Sequence, residues 1–566
     1  MSMMKGSQVI VECLVEQGVD RVFGYPGGQV IPLYDALYLN RDRIKHTLTA
    51  HEQGASHAAD GYARSTGKVG VCIATSGPGA TNLVTGLATA YMDSSPVVAI
   101  TGNVPNSLLG RDSFQEVDIT GVTMPITKHN FIVKSTDELA PTLREAFRIA
   151  RSGRPGPVLV DIPKDIQTSD IDFVPVKAEP IQRNSSRLRK EDLDRAEELI
   201  RASERPFVYI GGGVIIADAT DELKEFLERI DAPVGTSLMG LGAVDARSPR
   251  FTGMIGMHGT RVSNMGINTC DLLIVIGARF SDRVISKGST FARQCTILQI
   301  DVDPAEFNKN ITTHAHVVGD VKLALNALNE RFCEKLDHED WMEETSSRKR
   351  RYPAKVTSES LRPREILRGL SHVIRTMEKD VYITTEVGQH QMWAAQFIPH
   401  SRPRHFITSG GLGTMGFGTG AAIGTQFAHP ESRVVSVAGD GSFRMNCNEL
   451  ATIARYHLPV VILLLNNHCL GMVRQWQTLF FDAHYSETTL DTPVDWVKLA
   501  EAYGVKGMRI GKDDDAEAII RAALELNEGV VIDCEIPIDD KVYPMVAPGA
   551  SINDMIGYVE ETIAEV

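Results

Sequence analysis

The stretch Arg433-Val434-Val435-Ser436-Val437-Ala438-Gly439-Asp440-Gly441 is followed, after the 24 residues 442–465, by the pair Asn466-Asn467. The β-branched apolar run at 433–438 predicts a buried parallel strand that ends at Gly439. A second run, residues 458–465, predicts another such strand that ends at the asparagines. Between the two runs, residues 446–456 show helical spacing, with Leu450, Ile453 and Ala454 on one face. The segment therefore predicts a strand–helix–strand unit.

A right-handed crossover in this unit would bring Asp440 and Asn467 to one carboxyl edge of the sheet, where open α/β folds bind ligands. One carboxylate and one amide oxygen suit Mg²⁺ that keeps water and phosphate oxygens as its other ligands. The paired glycines let the backbone approach a diphosphate closely. Gly-Asp-Gly alone is common turn chemistry. Its spacing to Asn467 favours a metal-held diphosphate site.

Further motifs extend the pattern over the chain. They are Phe23-Gly24-Tyr25-Pro26-Gly27-Gly28, His51-Glu52-Gln53, Thr75-Ser76-Gly77-Pro78-Gly79, Phe114-Gln115-Glu116, Gly153-Arg154-Pro155-Gly156-Pro157, Asp161-Ile162-Pro163-Lys164, Gly410-Gly411-Leu412-Gly413-Thr414-Met415-Gly416 and Gly471-Met472-Val473-Arg474-Gln475-Trp476-Gln477. From about Gly6 to Met555, the sequence resembles the catalytic large subunits of acetohydroxyacid (acetolactate) synthase, a family dependent on thiamin diphosphate.

Composition limits the alternatives. A chain of 566 residues with 43% hydrophobic residues is long enough for several cores. Its net charge of −14 argues against nucleic acid as a partner. Its eight cysteines lack CxxC spacing, so we expect neither disulfides nor zinc. No apolar run is long enough for a membrane span and no signal peptide is evident, so we expect a cytoplasmic protein without a membrane partner.

Strand-like and helix-like segments alternate throughout, which predicts an α/β fold of three doubly wound parallel-sheet domains. The resemblance implies a pyrimidine-binding thiamin domain at 1–175, a central FAD-type domain at 191–340 and a diphosphate- and magnesium-binding domain with a C-terminal tail at 364–566. Residues 174–190 and 337–363 are predicted linkers. The tail at 543–549 is a candidate active-site flap.

Glu52 is the strongest catalytic candidate. It follows the predicted strand 45–49 and opens a helical stretch, where a carboxylate is also favoured simply by the helix dipole. The resemblance implies that it bonds a pyrimidine nitrogen of the cofactor. Pyruvate would then be decarboxylated and its two-carbon unit condensed with a second 2-oxo acid. The resemblance also implies that each cofactor bridges two subunits, so at least a homodimer, or a tetramer, is expected.

The resemblance assigns other residues to the cofactors. For thiamin diphosphate they are Tyr25, Pro26, Gly27, Ser76, Pro78, Gly79, Asn82, Val387, Gly388, Gln389, His390, Gly413, Met415, Asp440, Gly441, Ser442, Asn467, Gly471 and Met472; for the metal, Asp440, Asn467 and Cys469; for FAD, Arg154, Gly211, Gly212, Gly213, His258, Arg279, Asp282, Arg283, Asp301 and Asp320. Met415 would prop the bent cofactor. Gly211-Gly212-Gly213 lacks GxGxxG, so on its own it is a weak dinucleotide signal. Ser281 stands where the family pattern has aspartate, which puts that FAD contact in doubt.

Phe114, Gln115, Lys164, Met472 and Trp476 match residues near the reaction centre. A large indole wall would favour 2-oxobutyrate over pyruvate as acceptor. The chain has no His-His pair, whereas pyruvate decarboxylases of the superfamily carry adjacent histidines, so carboligation is favoured over simple decarboxylation.

Two enzymatic alternatives and a non-catalytic one stay open. A pyruvate oxidase shares the architecture and FAD, but it would reduce oxygen or a quinone. A glyoxylate carboligase resembles a branch without the catalytic glutamate, whereas Glu52 is present here. A cofactor-binding or scaffolding chain would show no turnover. The resemblance further implies a small regulatory subunit, which nothing in the composition reveals.

Overall fold

Parallel sheets organise the chain. The computed structural model describes residues 2–178, 187–353 and 362–557, and within these ranges there are three six-stranded sheets. Contacts divide the chain into two compact units, residues 1–181, 372–391 and 407–538 in the first and residues 182–371, 392–406 and 539–566 in the second. The first unit carries the first sheet and, apart from the edge residue Phe406, the third; the second unit carries the second sheet.

The first sheet has the strand order β3-β2-β4-β5-β7-β6, and all its pairs are parallel. The strands are β1 (Ser2–Lys5), β2 (Arg21–Gly24), β3 (Lys45–Leu48), β4 (Gly70–Ala74), β5 (Val97–Asn103), β6 (His129–Ile132), β7 (Val158–Pro163) and β8 (Asp170–Phe173), with β1 and β8 forming a separate antiparallel pair. The helices are α1 (Gly6–Glu16), α2 (Ile31–Leu39), α3 (Glu52–Thr66), α4 (Pro78–Thr81), α5 (Val84–Met92), α6 (Ile119–Thr123), α7 (Leu139–Arg151) and α8 (Lys164–Thr168).

The second sheet has the order β11-β10-β9-β12-β13-β14 and is also parallel. Its strands are β9 (Pro206–Ile210), β10 (Val234–Thr236), β11 (Phe251–Met254), β12 (Leu272–Ile276), β13 (Thr296–Asp301) and β14 (Ala315–Val318). The helices are α9 (Lys190–Ala202), α10 (Gly212–Ile216), α11 (Thr220–Arg229), α12 (Arg261–Thr269), α13 (Asp282–Ile285), α14 (Val321–Asn329) and α15 (Glu339–Arg351).

The third sheet has the order β16-β15-β17-β18-β20-β19, parallel from β15 to β19. Its strands are β15 (Val381–Thr385), β16 (Phe406–Ile407), β17 (Arg433–Gly439), β18 (Val460–Asn466), β19 (Lys506–Ile510) and β20 (Val530–Glu535); the tail adds β21 (Met545–Val546) and β22 (Met555–Ile556). The helices are α16 (Arg362–Thr376), α17 (Gln389–Phe397), α18 (Phe417–Ala428), α19 (Asp440–Phe443), α20 (Leu450–Arg455), α21 (Gly471–Phe480), α22 (Trp496–Ala502) and α23 (Ala516–Glu525).

The predicted α/β fold with parallel sheets is confirmed. β17 and β18 are buried along their whole length, as expected for central strands covered on both faces. Helix α20 lies between them in sequence and buries Leu450 and Ile453. The strand–helix–strand unit is therefore present.

One prediction was wrong. Residues 337–353 are not a linker over their described length, because α15 occupies most of them and buries Trp341, whose indole N–H donates to the carbonyl of Pro206 (2.9 Å). The rest of that predicted linker, except 362–363, and residues 179–186 of the other one lie outside the described residues, as does the tail beyond Gly557.

Two helices rich in small residues pack closely inside the first unit. A Cβ on Gly424 of α18 would lie 1.8 Å from the carbonyl oxygen of Ala58 in α3, and one on Gly61 would lie 2.3 Å from that of Ala421. Only glycine allows this approach. The helix that begins at Glu52 is thereby held against the helix that follows Met415.

The described helices do not include a candidate membrane span. In the described part of the chain, none is both long enough and apolar enough to span a bilayer.

Candidate active site

Asp440 and Asn467 lie together at the carboxyl edge of the third sheet. β17 and β18 are neighbours with Gly439 opposite Leu465. Asp440 begins α19, and the backbone N–H of Asn467 donates a hydrogen bond to its carboxylate. The two predicted metal ligands are thus adjacent in space.

One oxygen of the Asp440 carboxylate is available to bind a cation. Its side chain is buried, and burial raises its pKa to about 6. Its Oδ1 atom has no hydrogen-bond partner among the described residues. A buried carboxylate oxygen without a partner costs free energy, and a bound cation would remove that cost. The arrangement fits a hard divalent ion.

A chain of amides orients Asn467. Its Nδ2 donates to Gln389 Oε1 (3.2 Å), and Gln389 Nε2 donates to Gln475 Oε1 (3.0 Å). With its nitrogen engaged by Gln389, the Asn467 amide presents its oxygen as the acceptor. A Cβ on Gly471 would lie 2.0 Å from Gln389 Oε1 and 2.7 Å from Asn467 Nδ2. Glycine is therefore required at the start of α21.

The thiol of Cys469 is engaged by a backbone carbonyl group. Its Sγ donates to the carbonyl of Ile538 (3.6 Å), whereas its backbone oxygen lies 3.9 Å from where a Cβ on Gly441 would stand. Mg²⁺ prefers oxygen ligands. If Cys469 contributes to a metal site, the group that fits is its carbonyl oxygen.

The residues around the start of α17 lie at the same edge. Val387 N–H donates to Ser442 Oγ (3.4 Å). His390 is buried, which lowers its pKa to about 3, so its imidazole is neutral. A Cβ on Gly439 would lie 2.5 Å from its Nδ1. Its Nε2 has no partner within the described residues, which leaves it for a ligand. Gly388 adopts a positive φ of 153° beside this ring.

Sequence reasoning missed Glu386. Its buried carboxylate accepts the N–H groups of Gly416 (2.7 Å) and Thr419 (3.0 Å) and the hydroxyl of Ser442 (2.8 Å). It directly follows β15, at the same carboxyl edge as Asp440. That strand-end position was the signal that could have identified it.

Hydrogen bonds hold the glycine-rich loop before α18 at its beginning, through Asp93, and at its end, through Glu386. Gly413 and Gly416 have the left-handed φ values of 71° and 87° that favour glycine. The Asp93 carboxylate accepts the N–H groups of Gly410 (3.2 Å) and Gly411 (2.7 Å). Met415, half-buried, is carried by this fixed loop.

Glu52 lies at the carboxyl edge of the first sheet. It is the first residue of α3, and the side chain of His51 caps that helix by accepting Gln53 N–H (3.1 Å). Glu52 Oε2 accepts Asn82 Nδ2 (3.0 Å). A Cβ on Gly79 would lie 3.1 Å from Glu52 Oε1. The structure therefore groups Glu52, Gly79 and Asn82.

Other predicted residues follow neighbouring strand ends. Tyr25, Pro26 and Gly27 come after β2, Ser76 and Pro78 after β4, and Lys164 after β7. A Cβ on Gly27 would lie 2.4 Å from Thr75 Cγ2, and Lys164 Nζ donates to Gly28 O (3.0 Å).

Phe114 and Gln115 form a projecting loop beside the same edge. Gln115 has a positive φ of 59°, and its backbone packs where a Cβ on Gly77 would clash at 2.7 Å. The side chain of Phe114 is 85% exposed. An apolar ring so exposed is suited to contact a substrate or another chain.

Helix α21 presents one apolar face near the third-sheet edge. Met472, Trp476 and Phe480 recur at four-residue spacing, so they share that face. The rings of Trp476 and Phe480 meet edge to face with centroids 5.9 Å apart.

The residues assigned to FAD in the second unit also follow strand ends. Gly211 to Gly213 follow β9, Arg279 follows β12, Asp301 ends β13 and Asp320 follows β14. A Cβ on Gly211 would lie 2.3 Å from Gly277 O, so the glycine lets two strand ends approach each other. These ends share the carboxyl edge of the second sheet.

Several of these side chains also have local roles. Asp320 caps α14 by accepting Leu323 N–H (3.2 Å), and Asp301 accepts Asp303 N–H (2.9 Å). Asp282 and Arg283 are ion-paired with each other at 3.7 Å and exposed, directly after Ser281. His258 is half-buried, and desolvation lowers its pKa to about 4. Arg154 belongs to the first unit, where its Nε donates to Ser94 Oγ (2.8 Å).

Comparison with known proteins assigns these edges to domains. Residues 4–122 match the thiamine pyrophosphate enzyme N-terminal TPP-binding domain, residues 193–328 the central domain and residues 386–534 the C-terminal TPP-binding domain. Acetolactate synthase isozyme 2 large subunit of Escherichia coli is 47% identical, with 98% of this chain and 99% of the relative covered. Acetolactate synthase of Arthrospira platensis is 45% identical (98% and 97% covered), and a probable acetolactate synthase large subunit of Methanocaldococcus jannaschii is 46% identical (98% and 95% covered).

The chain belongs to the acetolactate synthase large-subunit family. Glu52 lies within the matched N-terminal TPP-binding domain, and Asp440 and Asn467 lie within the C-terminal one. The three sheets correspond to the three domains of the thiamin diphosphate enzymes, as predicted.

Proposed function

We propose that this acetolactate synthase family member decarboxylates pyruvate and condenses the two-carbon unit with a second pyruvate or 2-oxobutyrate. The products would be 2-acetolactate and 2-aceto-2-hydroxybutyrate, precursors of valine, leucine and isoleucine. The observation that carries the proposal is the pair of edges in the first unit, one with Glu52 and one with the unpartnered Oδ1 of Asp440. Bound thiamin diphosphate would supply a nucleophilic carbon and an electron sink.

The chain's own residues have distinct tasks. Glu52 holds a pyrimidine nitrogen and shifts its proton, which a buried carboxylate at a helix start can do. Asp440, the Asn467 side chain and the Cys469 carbonyl oxygen hold Mg²⁺. The other contacts to thiamin diphosphate come from Tyr25, Pro26, Gly27, Ser76, Pro78, Gly79, Asn82, Val387, Gly388, Gln389, His390, Gly413, Gly441, Ser442, Gly471 and Met472. Met415 supports the bent cofactor.

The substrate side is formed by Phe114, Gln115, Lys164, Met472 and Trp476. The ammonium group of Lys164 attracts the carboxylate of a 2-oxo acid. The apolar face of α21 contacts the alkyl group of the acceptor and excludes water, which protects the two-carbon unit from early protonation.

FAD fits the carboxyl edge of the second sheet. The chain runs from β9 outward through β10 to β11 and then crosses back to β12 on the other side of β9, so Gly211 to Gly213 stand at a topological switch point, where such sheets bind dinucleotides. The arginines suit its pyrophosphate and the carboxylates its ribose or adenine. The condensation needs no net redox step, so FAD would be structural.

The domains and assembly follow the same proposal. Residues 1–175 bind the pyrimidine, 191–340 carry FAD and 364–566 bind the diphosphate. Each active site combines Glu52 of one subunit with Asp440 of another, which requires a homodimer or a tetramer. The relatives are named large subunits, so a small regulatory subunit is a further partner.

The test measures acetolactate formed from pyruvate with thiamin diphosphate, Mg²⁺ and FAD, together with oxygen uptake. Glu52→Gln should lower the rate at least about a hundredfold, which is the lower end of the range for removing a proton-transfer group. Asp440→Asn should raise the Mg²⁺ concentration that gives half-maximal activity at least about tenfold. Asp482→Asn, at an exposed site, should leave that concentration unchanged. Oxygen uptake matching pyruvate loss, with little acetolactate, would assign an oxidase instead.

A further inference from the structure

A second buried glutamate, Glu449, holds the loop that delivers Glu52. It ends the 3₁₀ turn Cys447–Glu449 in the diphosphate-binding part of the chain, just before α20, and is fully buried. Its Oε2 accepts the N–H of Ala50 (3.1 Å), and its Oε1 accepts the N–H of His51 (3.1 Å). These are the two residues immediately before Glu52.

Both oxygens of the Glu449 carboxylate accept hydrogen bonds. Oε2 also accepts the hydroxyl of Thr452 (2.7 Å). A carboxylate can accept at both oxygens, whereas an amide can accept at only one. The two backbone N–H groups therefore specify glutamate rather than glutamine at position 449.

Two more contacts bind the loop to the same helix. The N–H of Leu48, at the end of β3, donates to the hydroxyl of Tyr456, which directly follows α20 (2.8 Å). A Cβ on Gly54 would lie 2.0 Å from Glu449 Oε1, so the first turn of α3 must be bare at that point. The connection from β3 to Glu52 thus rests on Glu449 and Tyr456.

We infer that Glu449 is a positioning residue for Glu52, fixing the start of α3 so that the catalytic carboxylate meets the pyrimidine ring at the productive distance. This inference rests on the proposed function. The inference extends the proposed function, because Glu449 lies nine residues after Asp440 in the connection from β17 to β18. The segment that binds the metal therefore also fixes the loop that carries the proton-transfer group. Small displacements at a reacting group carry large rate costs.

The first test measures hydrogen exchange of the backbone amides at Ala50 and His51 by mass spectrometry, without cofactor. Glu449→Gln should raise exchange in the peptide containing residues 48–53. Glu16→Gln is the matched control, since Glu16 is also mostly buried and accepts a backbone N–H, from Val176 (2.7 Å), together with Arg144. It should leave that peptide unchanged.

The second test follows deuterium exchange of the thiazolium C2 hydrogen in the loaded protein by quenched-flow NMR, with kcat and KM for pyruvate. Glu449→Gln should slow C2 exchange and kcat about tenfold to a hundredfold, while KM changes less than about threefold. Glu449→Asp, which keeps a carboxylate, should recover part of the rate. Unchanged C2 exchange, or a loss of rate that only follows a lower melting temperature, would overturn the inference.

A milder variant, Tyr456→Phe, keeps the test decisive if Glu449→Gln does not fold. Tyr456→Phe removes only the acceptor for Leu48 N–H, and it should give the same changes at smaller size. If Tyr456→Phe folds and alters neither amide exchange nor C2 exchange, the inference is wrong. If the wild-type protein forms no acetolactate, the proposed function fails, whereas the amide-exchange result still decides whether Glu449 holds the loop.

Discussion

The carboxylate of Glu386 accepts the backbone N–H of Gly416 at 2.7 Å. Glu386 follows β15, and Gly416 precedes α18 with a left-handed φ of 87°. Because the hydroxyl of Ser442 donates to the same carboxylate (2.8 Å), one buried group joins the start of α18 to the Gly-Asp-Gly segment. Met415 is next in sequence to Gly416, so this contact also sets the methionine that would support the cofactor.

Glu386→Gln should lower the free energy of unfolding by about 1–3 kcal/mol, because an amide group must leave at least one buried donor unpaired. Urea denaturation of the cofactor-free protein measures the change. Glu535→Gln, at the exposed end of β20, should change the free energy of unfolding by less than about 0.5 kcal/mol. Equal losses in both variants would contradict a specific role of Glu386.

Two central strands of the third sheet could be predicted because each is a continuous apolar run bounded by a polar strand end. β17 and β18 follow this rule, and their parallel pairing then places Asp440 beside Asn467. Local sequence pattern and sheet topology were sufficient to predict that Asp440 and Asn467 lie together at that edge.

The contacts of Glu386 and Glu449 could not be predicted in the same way. Glu449 meets Ala50 across 399 residues, and a backbone N–H leaves no mark in the sequence. α15 was missed because its high charge resembles a linker. The helix is anchored by Trp341, with Arg205 and Arg348 over its ring at 4.6 and 5.3 Å. Those contacts are tertiary, so sequence spacing alone does not show them.

Asp161 should make the stability of the protein depend on pH. It is buried on β7, and burial raises its pKa to about 7, although Thr101 and Asn103 donate to it (2.7 and 2.6 Å). Between about pH 4 and 7 the folded protein holds a proton there that the unfolded chain has lost, so this group makes stability fall as pH rises.

Asp161→Asn should remove this dependence, since asparagine stays neutral, its oxygen can accept Asn103 Nδ2 and its NH₂ group can donate to the hydroxyl oxygen of Thr101. The difference in unfolding free energy between variant and wild type should grow with pH by up to about 1.4 kcal/mol per unit from about pH 4 to 7, and then level off. Urea denaturation across that range gives the curve. Asp172→Asn, at an exposed site on β8, should show no such trend. A flat difference for Asp161→Asn would contradict the assignment.

Gly471→Ala should weaken cofactor binding through steric displacement. The new methyl group would overlap Gln389 Oε1 at 2.0 Å and Asn467 Nδ2 at 2.7 Å, so the amide chain that orients Asn467 must move. We expect the Kd for thiamin diphosphate with Mg²⁺ to rise at least about tenfold, as for loss of a well-oriented contact. Fluorescence titration measures it. Gly288→Ala, whose methyl group would meet Ile311 at an ordinary 3.6 Å, should leave the Kd unchanged.

Trp476→Leu should reduce the preference for 2-oxobutyrate over pyruvate as acceptor. The indole lies on the apolar face of α21 and is held edge-on by Phe480, so its loss removes a wall without removing charge. One extra methylene in an apolar pocket is worth about 1–3 kcal/mol, so the ratio of 2-aceto-2-hydroxybutyrate to 2-acetolactate at equal acceptor concentrations should fall about tenfold or more. Chromatography of both products from a mixed-substrate reaction gives the ratio. Phe481→Leu, 60% exposed just after the helix, is the control and should keep the wild-type ratio. An unchanged ratio in Trp476→Leu would place the acceptor's alkyl group elsewhere than on α21.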